Sequence, residues 1–147
     1  HASRGLVFAL LLASVCGAGL VFAKPARGTL EVSVSGFEHD RGHVVAKLFR
    51  RGDAAPKGRG YKKVVSGIRE RRAKLAFPEI AYGSYAVFLF HDENGNGTVD
   101  HNLLGIPTEP LGFSGGFRVS LFSGVPDFDD LKFEFTAKSR ALAIVVE

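Results

Sequence analysis

The 147-residue sequence predicts an all-β protein. The expected fold is an antiparallel β-sandwich of about seven strands behind an N-terminal signal segment. Three observations carry that reading. Short runs alternate apolar and polar residues at the strand period. Glycine, proline and aspartate punctuate the gaps between them. No stretch beyond the N-terminal segment keeps its apolar residues at helical period, and no internal repeat or linker divides it.

In residues 29–35 the apolar set Leu30, Val32 and Val34 alternates with Glu31, Ser33 and Ser35, as in a half-buried strand. Gly36 ends it, and Asp40-Arg41-Gly42 turns the chain into a hairpin partner over 43–49. Residues 51–60 read as a long exposed loop, and 61–65 as a short strand or a loop edge. In 68–77 the polar group Arg69 to Arg72 guards a sheet edge, after which Ala73, Leu75 and Phe77 point inward. Residues 78–83 read as turn material. Residues 84–90 are apolar on both faces, which predicts a central strand of the core. The 101–116 segment has too many prolines and glycines for regular structure and is expected to fold back over the sheet end. Further strands are predicted at 117–122, at 131–135 and finally at 141–146.

Ahead of the domain, Arg4 precedes an uncharged apolar run over 5–23 that ends Leu20-Val21-Phe22-Ala23 before Lys24-Pro25. That order describes a secretory signal peptide over 1–23, cleaved after Ala23, with a short linker at 24–28 and the sandwich over 29–147. The competing reading is an uncleaved anchor, since the run is long enough to span a bilayer. Cleavage leaves no membrane span and predicts a periplasmic or extracellular product. The single cysteine, Cys16, departs with the signal, so the mature chain carries no thiol into an oxidising compartment.

The formal charge of +4 is unevenly placed, with a basic block over 50–74 and acids at 92–100 and 127–130. Aromatic residues are not interleaved with the basic ones as a nucleic-acid surface would need; the block reads as a solvated face, with contact to anionic envelope polymers or lipid head groups as the alternative.

The most informative stretch follows the central strand: His91-Asp92-Glu93-Asn94-Gly95-Asn96-Gly97-Thr98-Val99-Asp100. Oxygen-bearing side chains at alternate positions, then a glycine, then a further carboxylate, are how a short loop surrounds a hard cation. The expected calcium ligands are Asp92, Asn94, Asn96, the Thr98 carbonyl and Asp100. The twelfth loop position, where an EF-hand places a bidentate glutamate, is Leu103. With formal charge at Asp92 and Asp100 only, and Glu93 as a third candidate, affinity falls in the extracellular class of roughly 10⁻⁴–10⁻³ M. Two alternatives stand beside calcium: a tight Asn-Gly turn that holds no metal, and a zinc or copper site using His91 and His101, which bracket the loop.

His91 to Gly97, Asp100, Leu104-Gly105-Ile106-Pro107, Glu109-Pro110 and Gly112-Phe113-Ser114 together resemble the signature of small exported bacterial proteins, the domain-of-unknown-function family 2141. The resemblance is specific over 83–114 and extends as strand pattern over 29–147. It implies an exported sandwich of the transthyretin or prealbumin kind with no established activity. Leu111 stands where many relatives carry an aromatic residue.

Catalytic patterns are missing. Ser114, in Gly-Phe-Ser-Gly-Gly, lacks the strand-to-helix elbow of a hydrolase serine. Asp129 and Asp130 are adjacent and would point apart on a strand, unlike a glycosidase pair. The expected function is therefore a non-catalytic binding or interaction module. Calcium stiffens residues 92–116, and an exposed Phe113 or Phe117 meets an envelope or extracellular partner, a glycan or a protein. The alternative is a purely structural envelope domain.

Overall fold

The computed structural model describes residues 19–120 and 122–147. Most of the predicted signal peptide lies outside them. Residues 19–26 form no strand, and Leu20, Val21 and Phe22 are exposed. No helix among the described residues is long and apolar enough to cross a membrane.

Two sheets pack face to face. The smaller has the order β4-β1-β8, from Ala73–Ala81, Arg27–Ser35 and Ser139–Val145. The larger runs β3-β2-β5-β6, from Lys62–Gly67, His43–Phe49, Gly83–Asp92 and Leu111–Phe113, with β7 (Phe133–Phe135) also on β5. The alternation read from the sequence is the alternation observed, since Leu30, Val32 and Val34 lie beside Phe77, Leu75 and Ala73 of the neighbouring strand on one buried face of the small sheet. Phe77 and Phe135 are fully buried there, each contributing about 1.5–3 kcal/mol relative to exposure. One pairing departs from the antiparallel expectation: β8 lies parallel to β1, from Thr29 opposite Ser139 to Ser35 opposite Val145.

β5 is central, as its two apolar faces require. Val87 and Leu89 point into the core between the sheets, whereas Ala86, Phe88 and Phe90 point to the other side, where a second cluster forms with Val45, Phe49, Phe113 and Leu131. The excursion after residue 101 therefore covers the outer face of the large sheet rather than its end. Phe113 is consequently 8% exposed, so it does not project into solvent as the exposed contact expected of it. Phe117 is half-buried, edge-on to the Phe113 ring at 5.4 Å.

Four local expectations change. Residues 78–81 continue β4 instead of turning. Pro78 is tolerated because β4 is an edge strand, and it sits in a bulge where Pro78 and Glu79 together oppose Thr29. Residues 69–72 form a tight turn between β3 and β4, closed by paired backbone bonds between Arg69 and Arg72. Residues 117–120 and 122, the described part of the 117–122 span, form no strand, and 131–135 is split. A short helix, α1 (Phe128–Leu131), precedes β7 because Asp127 caps it, accepting from the Asp129 and Asp130 N–H groups while Asp130 accepts from the Asp127 N–H.

Candidate functional site

β5 ends at Asp92, so a rigid strand delivers this carboxylate into the loop. Asp92 is only 3% exposed. Its Oδ1 accepts from the N–H of Gly95 at 2.8 Å and of Asn96 at 3.1 Å, and its Oδ2 from Gly97 at 2.8 Å. Gly95 and Gly97, at φ 74° and 78°, supply the left-handed backbone that turns these donors inward.

Asn94 and Asn96 form smaller versions of the same turn. Asn94 Oδ1 accepts from the Asn96 N–H at 3.0 Å, and Asn96 Oδ1 from the Thr98 N–H at 2.9 Å and its hydroxyl at 3.2 Å. Both amide nitrogens donate to Asp100, Asn94 at 2.5 Å to Oδ2 and Asn96 at 2.7 Å to Oδ1. Asn94, Asn96 and Asp100 thus meet at one point, while Asp92 serves the loop backbone. Thr98 takes part through its N–H and hydroxyl, both bonded to Asn96.

The sequence reading missed Glu109. This buried carboxylate accepts from the Glu93 N–H at 2.9 Å and the Asp100 N–H at 3.1 Å, clasping the loop at both ends. Its being the one carboxylate in the 101–116 segment was the available signal. His91 and His101 do not converge. His91 is buried on the core face of β5, against Phe37, and His101 is exposed on the other side.

Beside the loop lies a groove of about 460 Å³. Phe88, Phe90 and Phe113 form its floor, their rings 5.2–6.0 Å apart. Gly97, Thr98 and Val99 supply part of its wall, so the oxygen loop and the aromatic floor belong to one surface. Lys47 stands at the rim, its ammonium held below the ordinary lysine value first by burial and then by the charge of Lys63. Leu103, Leu104 and Ile106 project from the adjoining excursion into solvent.

Part of the basic block is engaged in ion pairs within the molecule, at its surface. Arg51 grips Asp129 with two bonds of 2.8 and 3.1 Å while stacking over Phe128, and Arg50 binds Asp53 and lies over the Tyr61 ring. Ser114 is buried, with its hydroxyl committed to backbone groups of β5 and α1.

Residues 32–143 match the model of a family described as an uncharacterized protein conserved in bacteria, DUF2141. No curated protein and no solved structure matches the chain significantly.

Proposed function

Because the chain belongs to this bacterial family, which brings a domain but no activity, we propose from its own geometry that it is an exported, non-catalytic binding module. In this reading a weak calcium loop over 92–100 stiffens one wall of the aromatic groove. The observation that carries it is the shared surface: the residues between Asn96 and Asp100 are also the groove's wall. Ordering the loop on a cation would lower the entropy lost when a ligand settles against that wall. A mainly apolar groove lined in part by a lysine suits a sugar ring or an apolar side chain of a protein partner.

Calcium would enter where Asn94 and Asn96 meet Asp100. The two amides would have to turn their oxygens toward the ion and give up their bonds to the Asn96 and Thr98 N–H groups. That exchange offsets much of the gain and supports affinity in the roughly 10⁻⁴–10⁻³ M class.

A specific observation favours the second reading, a structural turn without metal. Both oxygens of Asp92 and both amide oxygens are already bonded to backbone donors, so the loop is closed by its own side chains.

Thermal melts in millimolar calcium and in chelator separate the two. With calcium at about ten times its dissociation constant, stability should rise by about 1.4 kcal/mol, and Asp100→Asn should abolish the rise. An identical melt in calcium and chelator would establish the turn. Asp100 is the position to change, because Asp92 supports the backbone in either case.

A further inference from the structure

We propose that His39, His91 and Glu93 form a binding site for a divalent transition-metal ion, zinc in the first instance, which shares only Glu93 with the 92–100 loop and uses none of Asp92, Asn94, Asn96 or Asp100. One ligand atom from each residue lies within 4.8 Å of the other two. His39 Nε2 is 3.0 Å and His91 Nδ1 3.8 Å from the same Glu93 Oε1. Donors bound to one tetrahedral zinc at about 2.0–2.1 Å stand about 3.3 Å apart. The two separations bracket that value, and the remaining closure falls on His39, which is carried by the partly exposed connection between β1 and β2.

The decisive group is His91. Its Nε2 lies 2.6 Å from the Arg41 carbonyl oxygen. A carbonyl only accepts, so Nε2 carries the proton, and in the neutral ring Nδ1 is then a lone pair. That nitrogen has no hydrogen-bond partner among the described residues, and the residue is 0% exposed, so water does not supply one. It faces Glu93 Oε1 at 3.8 Å, and the same oxygen lies 3.0 Å from His39 Nε2. A divalent ion taking the place of the His39 Nε2 proton would give the buried His91 lone pair the partner it lacks and hold both imidazoles on the one carboxylate. A backbone carbonyl on the remote ring nitrogen is also the outer partner that metal-bound histidines usually keep, because it fixes ring orientation and raises ligand basicity.

The surroundings hold this arrangement in place. Gly42 has φ 78°, and a Cβ there would stand 2.2 Å from the Asp92 carbonyl oxygen. Only glycine therefore lets the Arg41 carbonyl settle over His91. Phe37 packs edge-on to the His91 ring at 5.1 Å, and the His39 ring lies 5.0 Å from it. Glu109 anchors the Glu93 backbone from the other side. Two imidazoles and one carboxylate suit zinc or copper rather than calcium or magnesium. The partly exposed side chains of Glu93 and His39 leave a fourth position open to water.

The test is zinc titration of the metal-stripped full domain against a chromogenic chelator. One equivalent should bind, and His39→Ala and Glu93→Gln should each weaken binding at least tenfold. Both positions are on the surface side of the cluster, so the fold is retained where His91→Ala would endanger it. His101→Ala, on the opposite face of β5, should change nothing. In ¹⁵N spectra zinc should move His91 Nδ1 and leave Nε2 protonated, and excess calcium should not displace the zinc. The proposal is overturned if no equivalent of zinc binds, or if it binds with unchanged affinity in both variants. A free protein showing His91 doubly protonated against Glu93, and no zinc uptake, would make the cluster an internal ion pair instead.

Discussion

The Ser114 hydroxyl accepts from the Val87 N–H at 2.8 Å and donates to the Leu131 carbonyl at 2.6 Å. β6 pairs with residues 88–90 of β5 and β7 with residues 83–85 along the same edge. Ser114 therefore fills the gap between two short strands. Removing it in Ser114→Ala leaves a buried donor and a buried acceptor unpaired, at about 1–3 kcal/mol for such a group. The denaturant midpoint should fall by a corresponding amount with the slope of the transition unchanged. Asp92 has a comparable structural duty, so Asp92→Ala should lower stability by about 2 kcal/mol or more whether or not calcium is present. Equal stability of Asp92→Ala and wild type in chelator would contradict the buried role assigned to it.

Two connections show how an element's ends are held. The turn over residues 69–72 places Glu70 and Arg71 at φ 52° and 57°, an unfavourable region for such side chains. Asp40, from a different connection, compensates by accepting from both of their N–H groups at 2.9 and 2.7 Å. Asp40→Ala should cost about 1–2 kcal/mol, in the range of a lost helix cap, and should raise amide exchange at residues 70 and 71 first. At the other connection, Arg51 ties the loop after β2 to α1. Arg51 first, and Lys132 second, hold the Asp129 carboxyl well below its ordinary value of 3.8, and Arg50 lowers Asp53 in the same way. A carboxyl depressed in the folded state stabilises fully above its unfolded value, and that stability is lost as pH falls through the folded value. Melting temperature should therefore fall below about pH 4, and Asp129→Asn should make that acid limb shallower. These groups are exposed, so added salt should reduce the difference.

At the scale of the whole molecule, the large sheet is apolar on both faces because it is covered twice, by the small sheet on one side and by the excursion on the other. That double cover produces the groove, since the excursion spans the Phe88–Phe90 face without filling it. The central strand was legible because seven consecutive residues from Ser84 to Phe90 include only one polar side chain. The contacts of Asn94 and Asn96 with Asp100 were legible because these residues are neighbours in sequence, where spacing limits which side chains can meet. The edge status of β4, which admits Pro78, was not legible, and neither was the parallel closure of β8 on β1, because both depend on which strands end up adjacent. The Asp127 cap was written in the sequence as a carboxylate three residues before Asp130, yet the alternation that follows it concealed the helix. By itself, then, the sequence determined the strand periods, the family and the local Asp-Asn-Asn loop, all consequences of short-range geometry. Only the tertiary structure decided that Glu109 clasps that loop, that Phe113 lies inside, and that His39 stands beside His91. Those pairings join residues far apart along the chain, and they are set by the packing of two sheets rather than by any spacing a reader can count.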